Sequence, residues 1–130
     1  MVTFVAQMKE WIRKIVRVLA AAALVTVGVK HFVQPDFFVR IVPQSLPAPL
    51  LLVWISGVFE IAGGIGLLVP RVRREAAIGV VLLLIAVFPA NINMAMHPAL
   101  GGSWPPWALW TRLPFQAVFI AIALWVSRGE

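Results

Sequence analysis

The sequence predicts an all-α membrane protein: a transmembrane four-helix bundle with both termini cytoplasmic and a short interfacial helix in the first outer loop. Three observations predict it. Of the 130 residues, 62% are hydrophobic and only 12% are charged, where a soluble domain carries roughly 25% charged residues. Apolar residues gather in long stretches without the alternation of a barrel strand. Three of these stretches are about 20 residues long, which at 1.5 Å per residue spans a ~30 Å hydrocarbon core. The basic residues cluster at the ends of the stretches, as topology signals do. Residues 1–130 form a single domain on this reading.

Taken in order, the first helix is expected over about residues 12–33. Its apolar part, Val18 to Val33, follows Lys9, Arg13, Lys14 and Arg17 and is interrupted by Lys30 and His31. Trp11, Ile12 and Ile15 interleaved with those charges form an amphipathic, interfacial lead-in. A cleaved leader is the competing reading. The long basic leader and the lack of a clean small-x-small site after the run favour a retained helix. The loop from Gln34 to Pro49 holds four prolines. Within it Phe37, Phe38, Ile41 and Val42 share one helical face and Asp36 and Arg40 another, which fits a short helix on the outer membrane surface. The second helix is expected over about 50–69, followed by a tight turn from Pro70 to Glu75, and the third over about 75–96. A Gly- and Pro-rich loop from His97 to Pro106 leads to Trp104, Trp107 and Trp110, an interfacial aromatic belt, and to a fourth helix over about 107–127.

Orientation follows from the Lys and Arg residues. Lys9, Arg13, Lys14, Arg17, Arg71, Arg73, Arg74 and Arg128 fall on one side; Lys30, Arg40 and Arg112 fall on the other. The richer side is cytoplasmic by the positive-inside rule. The net charge of +6 is used up in these clusters, leaving no hydrophilic patch for nucleic acid. With no cysteine, disulfides, thiol redox chemistry and thiolate metal sites are excluded.

Glu60 is the most informative residue, placed at the middle of the second helix between Phe59 and Ile61. A lone carboxylate at that depth costs several kcal/mol, so it must be protonated, paired or facing a wet cavity. Ser56, Gly57, Gly63 and Gly64 lie at i−4, i−3, i+3 and i+4 and make a small-residue face for close helix packing. Lys30, His31, Asn91, Asn93, Arg112 and Gln116 lie on the other three helices and are the expected partners of Glu60 in one polar cluster. That cluster is read as a ligand site, with interhelical locking as the competing structural reading. No metal site is expected.

Gly28-Val-Lys-His31-Phe with Pro35, Pro47-x-Pro49, Ser56-Gly57-x-x-Glu60-x-x-Gly63, Leu67-Leu-Val-Pro70 with its basic turn, and Phe88-Pro89-Ala90-Asn91 stand in sequence. In order and spacing these motifs resemble the DoxX-like family over about residues 15–127. The resemblance implies a four-helix bundle of the bacterial cytoplasmic (inner) membrane. Members are similar to the small membrane subunit of thiosulfate:quinone oxidoreductase, and more distant relatives include an endoplasmic-reticulum chaperone for nicotinic acetylcholine receptors. By motif match it carries over His31, Glu60, Pro89 and Asn91, without making any of them catalytic.

Two functions compete. One is the membrane component of a quinone-linked redox system, binding a quinone-like or other amphipathic small molecule near Glu60, His31 and Asn91. The chain has no redox group of its own, so it would be a non-catalytic subunit beside a redox partner, not a stand-alone enzyme. The other is a non-enzymatic membrane scaffold or assembly chaperone, docking client helices on the glycine-rich face of the second helix. Haem held by His31 and His97 is disfavoured, because His97 lies at a helix edge before Pro98 while His31 lies deeper. Transport would require the chain to form a homo-oligomer.

Overall fold

A computed structural model describes residues 2–129. Among them are five α-helices and one 3-10 turn: α1 (Val2–Val33), α2 (Pro35–Ile41), α3 (Pro49–Leu68), α4 (Arg73–Met96), the turn Pro98–Gly101, and α5 (Pro106–Val126). Prolines open α2, α3, the 3-10 turn and α5, where a missing N–H costs nothing and the fixed φ is already helical. Three helices, α3, α4 and α5, are long and apolar enough to cross a membrane. The sequence led us to expect four. Lys9, Glu10, Arg13, Lys14, Arg17 and Lys30 break up α1.

In their most apolar windows only 33%, 17% and 22% of the residues of α3, α4 and α5 are buried. The exposed remainder includes Trp54, Val58, Ile85 and Val118, which face outward. An apolar exterior of that extent suits lipid, where the helices satisfy their own backbone hydrogen bonds.

The long helices form a ring. Helix α1 packs along α3, α3 along α4, and α4 along α5, while α5 returns to α1 by a thinner contact. Glycines set the α1–α3 distance. A Cβ on Gly64 would lie 2.9 Å from the Ala21 carbonyl, and one on Gly57 would lie 2.9 Å from the Cβ of His31. Gly63 and Gly66 face Val80 and Ala76 of α4 in the same way. The glycine-rich faces of α3 are therefore filled by the chain itself.

Two apolar clusters hold the ring. One, near the ends of α3 and α5, centres on Leu24, Leu67, Ala77, Val80, Ala123 and Val126. The other joins Ile41 of α2 to Met94, Ala95 and Leu109.

Beside the first cluster lie two buried arginines. Arg17 donates to the carbonyls of Val126 (2.7 Å) and Arg128 (2.8 Å). Arg73 donates to the carbonyl of Leu67 (2.7 Å). Each caps a helix C-terminus, where carbonyls are left without intrahelical partners and the helix dipole favours a cation. Arg17 of α1 and the last residues of α5 thus lie at one end of the bundle.

Helix α1 begins ten residues before the expected boundary. No Gly or Pro occurs between residues 2 and 27, so nothing stops the helix within the charged lead-in. At its other end, α1 stops beside the middle of α3: Gly28 meets Gly57, and Phe32 reaches Gly57 as well. Helix α3 continues from Gly57 back to Pro49, about 12 Å at 1.5 Å per residue. Helix α2 fills that space. Its Phe37, Phe38, Ile41 face, expected on the membrane surface, turns instead toward the bundle interior, leaving Asp36 and Arg40 exposed.

Candidate functional site

Between the two apolar clusters lies a cavity of about 780 Å³, lined by residues of all five helices. Its lining is mostly aliphatic and aromatic, and its polar members are His31, Ser56, Glu60, Asn91, Arg112 and Gln116. This is the common form of a small-molecule site: a concave apolar volume with few, convergent polar groups.

Helix α3 carries Glu60 inward, where its side chain is 14% exposed. Helix α1 brings His31 against it, with Nδ1 3.2 Å from Glu60 Oε2. That nitrogen also lies 2.7 Å from the carbonyl of Val27, one turn earlier. A single Nδ1–H points at one acceptor at a time, and the shorter contact takes it. Glu60 Oε2 is left buried and without a hydrogen-bond partner among the described residues. The histidine ring is itself fixed from the other side by Phe38 of α2, stacked at 3.9 Å between centroids and 17° between planes. Phe37 meets Phe38 edge-on at 5.3 Å.

Across the cavity, α4 and α5 are joined through amides. Asn91 Nδ2 donates to Gln116 Oε1 at 2.6 Å, and Gln116 Nε2 donates to the Leu84 carbonyl at 2.5 Å. Each amide thereby spends part of its capacity on structure and retains the rest. Arg112 stands one turn before Gln116 and also faces the cavity, with no hydrogen-bond or ion-pair partner among the described residues.

Of the expected polar cluster, the structure thus brings His31, Glu60, Asn91, Arg112 and Gln116 to one cavity. Two expected members lie elsewhere. Lys30 is exposed on the side of α1 away from α3, because it follows inward-facing residues by a rotation of about 100° per residue. Asn93 donates to the Ile41 carbonyl at 3.0 Å and ties α4 to α2 outside the cavity. Ser56, expected among the packing residues, lines the cavity wall beside Glu60, while Gly57, Gly63 and Gly64 pack helices as expected. His97 is exposed at the end of α4 and takes no part in the lining.

The sequence reading missed Phe38 as the residue that fixes His31. Pro35 was the available signal, since a helix restarting there folds its first turn back over the end of α1. It also missed the capping roles of Arg17 and Arg73, which charge clustering alone does not separate from their exposed neighbours.

A family model described as a domain of unknown function, DUF8561, matches residues 20–127. The chain belongs to that family. The matched region contains every polar residue of the cavity and leaves the first part of α1 outside. The family's description names no activity. No curated protein and no solved structure matches the chain.

Proposed function

We propose that the chain is a multi-pass membrane protein whose intramembrane cavity binds an amphipathic small molecule. The single observation that carries this reading is Glu60 Oε2, a buried polar atom without a hydrogen-bond partner among the described residues, on the wall of a mostly apolar cavity of about 780 Å³. A buried unsatisfied group asks for an explanation, and a ligand hydroxyl or N–H supplies one.

On this reading α1 is a fourth crossing. Its support is the close packing of Gly28 and Ala21 along α3 and the Arg17 hydrogen bonds to the end of α5. Those bonds hold the basic part of α1 and the last turn of α5 together, which agrees with both termini in the cytoplasm under the positive-inside rule. The resemblance to DoxX-like proteins suggests the bacterial cytoplasmic membrane and a quinone as the ligand to try first, with a redox subunit as partner.

The test is thermal unfolding of the purified protein in a non-ionic detergent, with and without quinone analogues. A rise in melting temperature that disappears in Glu60→Leu supports the reading. If no analogue shifts the wild-type transition, the quinone assignment fails. The scaffold or chaperone alternative cannot use the glycine faces of α3, which α1 and α4 already occupy. What favours it is the exposed row Phe4, Met8, Trp11 and Ile15 on α1. Photo-crosslinkers placed along that row should then trap one membrane protein reproducibly.

A further inference from the structure

We infer that the molecule held in the cavity carries an anionic headgroup, a carboxylate or a phosphate, which Arg112 receives. The inference rests on the cavity reading above and names the chemical class of its occupant.

Arg112 is the seventh residue of α5, about 9 Å inside the helix start by helical rise, and within a helix apolar enough to cross a membrane. A guanidinium is always charged and presents five N–H donors in a fixed fork. The two arginines that the bundle buries have acceptors in the chain: Arg17 has the carbonyls of Val126 and Arg128, and Arg73 has that of Leu67, whereas Arg112 is exposed where it lines the cavity. Arg112 has no such acceptor among the described residues. Glu60 lines the same cavity but is not within ion-pair distance of it; the basic group beside Glu60 is His31.

The cavity therefore has two poles. Glu60 and His31 form one, and the cation Arg112 forms the other, on α5 next to the Asn91–Gln116 amide pair. In a low-dielectric setting an unmatched cation selects an anion strongly, and a planar fork matches the paired oxygens of carboxylate or phosphate. Phe115 and Phe119, one and two turns along α5, line the volume beyond and offer an aliphatic chain an apolar bed. A molecule with one negative head and one apolar chain answers Arg112 and the apolar wall, and a hydroxyl beside the head answers Glu60 Oε2. A neutral amphiphile leaves the guanidinium unanswered.

The experiment measures binding to the full chain in a non-ionic detergent, with oleate, methyl oleate and a single-chain lysophosphatidate as probes. Oleate should bind at least tenfold more tightly than methyl oleate. Arg112→Gln should abolish that difference, and Arg112→Lys should retain part of it. Unfolding of each variant without ligand checks that it is folded. Lysophosphatidate binding more tightly than oleate would assign the site to a phosphate head, and the reverse to a carboxylate. Equal binding of oleate and methyl oleate overturns the anionic assignment and leaves the cavity reading standing. Failure of all three probes and of the quinone analogues overturns both.

Discussion

The two ends of the bundle use the same side chain in opposite ways. At one end Arg17 and Arg73 are buried and bonded to helix-terminal carbonyls, beside a filled apolar cluster. At the other, Arg112 faces a cavity with no acceptor among the described residues, and Glu60 keeps an oxygen without a hydrogen bond. At the closed end Arg17 and Arg73 find their acceptors within the chain, although the buried Nε of Arg13 there has none among the described residues. The open end leaves its polar groups for something else. Charge is therefore used in two ways here, separated by where the partner comes from: a buried cap stabilises the fold, whereas an unanswered group on a cavity wall, Glu60 most of all, costs stability and gains recognition.

Substitutions can break this contrast. The largest effect is expected for Arg17→Ala, which removes the hydrogen bonds to the Val126 and Arg128 carbonyls, among others, from the end of α5 and should cost about 3 kcal/mol. Unfolding in mixed micelles measures it. A cost below about 1 kcal/mol would mean that the arginine is a topology signal and nothing more. Next comes Gly64→Val, where the added carbon meets the Ala21 carbonyl and Leu24; overpacking of this kind costs about 2 kcal/mol. Asn91→Ala breaks the amide bridge to Gln116 and should cost about 1 kcal/mol. Glu60→Leu sharpens the contrast most with the smallest change in stability. Removing an unsatisfied carboxylate should leave the transition within about 1 kcal/mol of wild type or raise it, while ligand-induced stabilisation disappears. A collapse of the fold in Glu60→Leu would move that residue from the open end's logic to the closed end's.

The sequence was informative where periodicity and chemistry agreed. The positions of α3, α4 and α5 follow from apolar runs bounded by Pro70, the basic turn and the Trp-rich stretch, within two residues of the observed ends. Glu60 announces itself because nothing else in its run is charged, and His31, Asn91, Arg112 and Gln116 follow from depth alone. Depth does not give azimuth. Lys30 and His31 are adjacent in sequence, yet one is exposed and the other meets Glu60. Asn91 and Asn93 diverge likewise, toward Gln116 and toward the Ile41 carbonyl. The apolar face of α2 was legible, but not the surface it covers. That depended on α1 ending beside the middle of α3, a distance set by glycine contacts between helices that no local pattern encodes.

One further feature of the open end concerns motion. Helix α4 contains Pro89 and helix α5 contains Pro114, each two residues before a member of the Asn91–Gln116 bridge. A proline deletes one rung of the backbone ladder and is where a helix bends. Both walls of the cavity therefore lack a backbone hydrogen bond near the level of their amide clasp, while α3 opposite has no internal proline. Flexing is therefore expected in α4 and α5 rather than in α3, beside the cavity that these two helices help to line.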